Sequence, residues 1–177
     1  MLEERQLNYE DIVSDTSQRT AGIKSQRIPV SVLTDGIKNP GNLGMIFRLA
    51  DALRLEKVYL YNIGKDFNFK LLNKKSRSTL KYVPYQILNS FDEVSALKKD
   101  KYFVVLDKTN MSIDYTEFKP VTPLCLIAGS EKFGVSEELI KISDISVHLP
   151  ANGVNTSINA ATATAVALFD FYNKIKK

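Results

Sequence analysis

Three glycine-bearing stretches hold most of the residues that could do chemistry. They are TDGIKNPGNLGMIFRLADALR (residues 34–54), IAGSEKFGVSEEL (127–139) and LPANGVNTSINAATA (149–163). Each combines glycine with Asn, Ser or a charged residue and leads into a helical pattern. Glycine permits positive φ and close backbone approach. Side-chain amides and backbone N–H groups can then form a polar cradle for a small ligand. The glycines at 36, 41 and 44 lack the G-x-G-x-x-G spacing of a dinucleotide site. GSEKFGVS lacks the Lys-Ser pair of a phosphate loop, and Glu131 would repel a phosphate.

Other chemistries are excluded by counting. The chain has one histidine, His148, and one cysteine, Cys125. That rules out a His/Cys zinc site and an internal disulfide, so no metal is expected. Cys125 lies in an apolar run and reads as a core residue. His148 stands at an expected strand end, a poor place for a Ser-His-Asp triad. Catalysis here must do without imidazole or use a cofactor's own reactivity.

The elements that position these stretches alternate. Strands are expected at 30–33, 57–61, 82–87, 102–106, 124–128 and 145–149. Helices are expected at 43–53, 91–99, 136–140 and 157–175. Such alternation predicts an α/β domain with a mostly parallel sheet flanked by helices. Ligands in that architecture bind beyond the C-terminal strand ends, where all three stretches fall. In the last helix Ile158, Ala161, Ala165, Leu168, Phe169 and Tyr172 form one apolar stripe, with Ser157 as N-cap and Lys174 near the C-terminal dipole. Its small Ala/Thr surface would let another backbone approach closely.

The 177 residues suit one domain, with 44% hydrophobic and 25% charged residues. No apolar run is long enough to span a membrane, and the charged start lacks a signal core, so a cytoplasmic protein is expected. Residues 1–27 read as a polar N-terminal extension and 28–177 as the domain. Net charge is +4, a mild lean towards polyanions. It is concentrated in KLLNKKSRSTLK, residues 70–81, which has five cations and no acid, flanked by Phe67, Phe69, Tyr82 and Tyr85. The stretch is either a solvated basic loop or an RNA contact, with cations for phosphates and rings for bases.

Taken together and in order, the three stretches resemble the three motifs of SPOUT-class, TrmH-like (SpoU) RNA methyltransferases. Asn42, Gly44, Arg48 and Ala50 match N-x-G-x-x-x-R-x-A. Gly129, Glu131 and Gly134 match G-x-E-x-x-G. Leu149, Pro150, Gly153, Ser157, Ile158 and Asn159 match the third motif. The third motif departs after Asn159: Ala160-Ala161 stands where the family usually has Val-Ser, which removes a hydroxyl.

The resemblance implies a C-terminal deep trefoil knot, a homodimer whose two subunits build each site, and S-adenosyl-L-methionine as cofactor. It implies methyl transfer to a ribose 2′-hydroxyl of tRNA or rRNA. Ala128, Gly129, Gly134, Leu149, Pro150, Gly153, Ser157 and Ile158 would surround the adenosine, largely through backbone groups. Arg48 would be the principal catalytic residue, with Asn42, Ser157, Asn159 and Glu131 as further polar candidates. Free arginine has a pKa above about 12 and is a poor base. Arg48 would therefore deprotonate the hydroxyl, orient an RNA phosphate or stabilise the developing oxyanion. Asn42 and Asn159 would bond across motifs or subunits, and Glu131 would hold Arg48 or a backbone amide. Against an enzyme stands an inactive RNA-binding protein of the same fold.

Overall fold

The computed structural model describes Gln6, Glu10, residues 27–154 and residues 157–176. The expected N-terminal extension therefore lies almost wholly outside the described residues, as do Asn155 and Thr156 of the third motif.

Seven strands form one sheet: β1 Ile28–Asp35, β2 Leu55–Tyr61, β3 Tyr85–Leu88, β4 Tyr102–Leu106, β5 Ile113–Asp114, β6 Leu124–Gly129 and β7 Ile145–His148. Their order is β3-β2-β1-β6-β4-β7-β5, and every pair is parallel. The helices are α1 Pro40–Ala52, α2 Phe69–Lys75, α3 Phe91–Lys98, α4 Glu137–Ile142 and α5 Ala160–Ile175. Among the described residues, no helix is long and apolar enough to cross a membrane.

Both faces of the sheet are covered, which is why its central strands are apolar throughout rather than alternating. All six residues of β6 are buried. Its side chains divide by parity. Leu124, Leu126 and Ala128 join α1 and α5 on one face. Cys125 and Ile127 join Val94 of α3 and Leu139 of α4 on the other. Burial pushes the Cys125 thiol up to about 12, in keeping with a core residue.

Several elements differ from expectation. The basic stretch is a loop only in part: residues 70–75 lie in α2, capped by Asn68, whose side chain accepts from the Leu71 N–H at 2.8 Å, and residues 76–78 are turn. Only Leu72 of that helix is buried, too little to show a period. The strand expected at 82–87 begins three residues late, because Pro84 has no N–H for the ladder. A 3₁₀ turn at Thr79–Lys81 precedes it. β5 has two residues and no readable pattern.

The last helix starts at Ala160, not at Ser157. Asn159 is the N-cap, its side chain accepting from Ala161 and Thr162 N–H at 3.0 and 3.1 Å. The buried side is Ala161, Thr164, Ala167, Leu168 and Phe171. Ile158 and Phe169 of the expected stripe are 42% and 47% exposed. The helix carries more apolar residues than one face can bury, so spacing alone selects the wrong aromatic. Lys174 pairs with Asp170 and donates to the carbonyls of Tyr115, Thr116 and Phe118, stapling that segment to the helix.

Candidate active site

The site forms where β1, β4, β6 and β7 end. β6 runs into Gly129, and the chain reverses through residues 130–134. Ser130 and Gly134 exchange backbone hydrogen bonds at 3.1 and 2.9 Å, and the Ser130 hydroxyl accepts from Phe133 N–H. A Cβ on Gly129 would lie 2.0 Å from the Gly134 carbonyl carbon, so no side chain fits there. Gly134 has φ +66°, and a Cβ on it would meet Asp107 Oδ2 at 2.2 Å.

Two acids at strand ends hold the returning limb. Asp107, just after β4, accepts from Val135 N–H at 2.9 Å and Lys108 N–H at 2.8 Å. Asp35, the last residue of β1, accepts from Ser136 N–H at 2.8 Å and the Asn62 amide at 2.9 Å. Carboxylates accepting backbone N–H bonds make stiff anchors. The hairpin is thus fixed from both sides of β6.

A chain of side chains then joins the three motifs. The Asn42 amide donates to Glu131 Oε1, and the Asn159 amide donates to Asn42 Oδ1 at 3.2 Å. Asn159 Oδ1 in turn caps α5. Asn42 is placed by the start of α1, where Asn39 caps the helix and Pro40 takes the first turn. The bond between Asn42 and Asn159 runs across motifs within one subunit. Glu131 holds Asn42 rather than Arg48 or a backbone amide.

Beside this chain lies a cavity of about 230 Å³. Ala128, Gly129, Glu131, Gly134, Leu149, Ser157 and Ile158 line it, as do Leu106, Asp107, Lys108 and His148. Its volume is under the roughly 300–1,000 Å³ usual for ligand clefts. Leu149 and Ile158 give it apolar walls, and the ends of β4 and β6 give backbone polar groups. That combination suits a planar heterocycle with a ribose, so S-adenosyl-L-methionine fits the residues present. Among the described residues, no cluster of three or more His, Cys, Asp or Glu could hold a metal.

Not every expected residue comes here. Arg48 is exposed on α1, makes no hydrogen bond or ion pair among the described residues, and is absent from the cavity wall. Pro150 and Gly153 are exposed and also off the wall. Gly44 serves packing: a Cβ on it would sit 2.9 Å from the Lys75 carbonyl carbon, where α1 meets the end of α2. Sequence reasoning missed Asp35, Asp107, Lys108 and the cavity position of His148, whose Nδ1 lies 3.0 Å from the Ser112 hydroxyl. The available signal was place: Asp35 ends β1 and Asp107 and Lys108 follow β4, all at the edge of a parallel sheet where ligands bind.

The sequence profile of the SpoU rRNA methylase family matches residues 29–169, which include all three motifs. The chain belongs to the SpoU rRNA methylase family. A relative from Staphylococcus saprophyticus, described as a TrmH family tRNA/rRNA methyltransferase, is 26% identical over 167 residues, covering 94% of this chain and 66% of the relative. The SpoU methyltransferase AviRb from Streptomyces viridochromogenes, solved in complex with AdoMet, is 25% identical with a TM-score of 0.76, over 88% of this chain and 64% of that one. The TrmH/SpoU tRNA modifying enzyme of A. aeolicus shares the fold, with a TM-score of 0.79 at 23% identity, over 93% of this chain and 85% of that one. This SpoU-family chain spans less than two thirds of the length of the curated relatives it matches.

Proposed function

We propose that this chain is an S-adenosyl-L-methionine-dependent RNA methyltransferase that acts on a ribose 2′-hydroxyl of tRNA or rRNA, with residues 28–177 as its catalytic domain. The observation that carries the reading is the hydrogen-bonded chain Glu131–Asn42–Asn159, which ties the three family motifs together beside the cavity. Under it the cofactor supplies an activated methyl group. Leu149 and Ile158 enclose the adenine, and the Gly129 backbone approaches it without a Cβ in the way. Asp107 and Asp35 keep the hairpin still, so Glu131 stays at the cavity wall, where Ser157 joins it from the third motif. Such preorganisation is where electrostatic catalysis arises.

Arg48 belongs to the reading through a second copy of the chain. It stands exposed on α1, while Met45 on the same helix and Val166 and Phe169 on α5 are 44%, 38% and 47% exposed. α1 packs against α5, and the proposed dimer would use these exposed apolar residues together with the exposed side of α1 that carries Arg48. In a homodimer formed there, Arg48 orients the RNA or stabilises charge at the partner's cavity. Lys70, Lys74, Lys75 and Lys81 supply a phosphate-binding surface. The same reading carries the family's C-terminal trefoil knot and a place in the cytoplasm with the RNA.

The test is transfer of label from S-adenosyl-L-methionine to bulk cellular RNA, followed by alkaline hydrolysis. A 2′-O-methyl group leaves label in hydrolysis-resistant dinucleotides; label released with mononucleotide bases contradicts the ribose reading. Arg48→Ala is expected to keep cofactor affinity within about tenfold while turnover collapses. Cofactor binding without transfer to any RNA would favour an inactive RNA-binding protein.

A further inference from the structure

A second cavity, of about 420 Å³, lies on the far side of the 130–134 hairpin. Ser130, Glu131 and Gly134 line both cavities, so a single turn of backbone separates them. Nothing in the proposed reaction uses this second space.

Its floor is polar and preorganised. Asp35 is 4% exposed, and its two oxygens are held by Asn62 and by the Ser136 N–H, leaving each able to accept once more. Ser136 Oγ is buried and has no hydrogen-bond partner, although Ser136 stands at the N-cap of α4 where it would be expected to cap. A buried hydroxyl without a partner in such a place calls for an explanation, and a ligand supplies one. Asn62 adopts φ +56°, a left-handed conformation uncommon away from glycine, and lines the same cavity.

Its rim is aromatic and basic. Phe133 is 79% exposed, with Lys132 Nζ 5.0 Å from the ring centroid. Lys38, also exposed, stands on the rim. A ring offered to solvent beside two cations, above a floor where the Asp35 carboxylate, the Asn62 amide and the Ser136 hydroxyl stand, with Asn39, Ser130 and Glu131 on the walls, matches a single unstacked nucleotide. The ring stacks on the base, the lysines meet the phosphates, and the floor reads the base edge.

Resting on the RNA methyltransferase reading, we propose that this second cavity takes an unpaired nucleotide of the RNA substrate next to the one methylated. The Asp35 carboxylate selects a base with an exocyclic amine, as acidic side chains accept from the cytosine amine. Site choice is then partly set here, one hairpin away from the cofactor.

Two measurements test this. Single-stranded RNA carrying 5-iodocytidine is irradiated with the full-length chain, and adducts are located by mass spectrometry; an adduct at Phe133 is expected. In parallel, Phe133→Ala, Ser136→Ala and the double variant Lys38→Ala/Lys132→Ala are assayed with bulk RNA. Phe133 and the lysines are exposed and Ser136 makes no cap bond, so the variants are expected to fold. Phe133→Ala should raise the apparent KM for RNA about tenfold with cofactor Kd unchanged, and the lysine pair should flatten the salt dependence of RNA binding. Ser136→Ala should weaken discrimination between cytosine- and uracil-bearing RNAs. Adducts confined to residues 70–81, or variants matching a wild type that methylates RNA, overturn the proposal. An adduct at Phe133 without any methyl transfer would leave the nucleotide site standing and sink the enzymatic reading instead.

Discussion

Residues 129–136 leave the C-terminal end of β6 and residues 69–81 lie between β2 and β3, and the two segments are built in opposite ways. The first segment is over-determined. Its glycines admit no Cβ, its turn is closed by paired backbone bonds, and Asp35 and Asp107 hold its returning limb. The second is anchored at Leu72 and Ser76 and otherwise presents lysines to solvent, with Arg77 and Ser78 in successive left-handed conformations. Under the proposed function this contrast is what the two ligands require. A cofactor of fixed shape needs a wall that does not move. A phosphate backbone of variable path needs charge more than geometry. Precision has been concentrated where a one-ångström error would displace a methyl group.

The contrast breaks most readily at Gly129. Gly129→Ala forces a Cβ into the Gly134 carbonyl, and we expect destabilisation of more than about 4 kcal/mol together with loss of cofactor binding. Chemical denaturation and calorimetry would show both; a stable variant that still binds would mean the hairpin is pliable. Next comes Asn42→Ala, which leaves the Glu131 and Asn159 side chains without their shared partner. A cost of about 1–3 kcal/mol in stability is expected, with a fall in turnover of about a hundredfold or more. Turnover within twofold of wild type would remove the chain from the site.

The second segment should respond differently. Lys74→Ala/Lys75→Ala/Lys81→Ala is expected to leave stability within about 0.5 kcal/mol and cofactor affinity unchanged. RNA binding should weaken about tenfold or more and its log–log salt slope drop by about two units, read by filter binding at several salt concentrations. An unchanged slope would take this surface out of RNA contact.

The smallest effect concerns the sheet beneath the hairpin. Burial, followed by its hydrogen bond to Glu138, pushes the Tyr61 hydroxyl up to about 12; burial, followed by Cys125, does the same for Tyr59. The fold therefore favours the neutral phenols. Their contribution to stability is complete below the ordinary value of about 10 and is lost as pH rises from there towards 12. Denaturation midpoints should be level below that window and fall within it, less steeply in Tyr61→Phe. Identical slopes would count against the assignment.

What the sequence showed and what it hid follow from the same physics. β4 and β6 were legible because strands buried on both faces are apolar from end to end. The three motifs were legible through their resemblance, in order and spacing, to those of the SpoU family; residue types alone gave only a polar pocket at the strand ends. The start of α5 was misread because Ser157 and Asn159 are both good N-caps, and only the bonds to Ala161 and Thr162 choose between them. α2 and β5 were hidden by shortness, with one buried residue in the helix and two residues in the strand. Asp35 and Asp107 were hidden because an acid at a strand end reads as solvent-facing until the backbone N–H groups that return to it are known. Arg48 was assigned to the site by motif, while the fold of one subunit sets it on an outer surface.

The central claim is that segments far apart in sequence close around one methyl donor, and a crystal structure grown with S-adenosyl-L-methionine tests it most directly. The account predicts the adenosine beside Gly129, enclosed by Leu149 and Ile158, with the Glu131–Asn42–Asn159 chain intact at its edge. Cofactor seated in the cavity of Asn62 and Phe133, or nowhere near the hairpin, would contradict it.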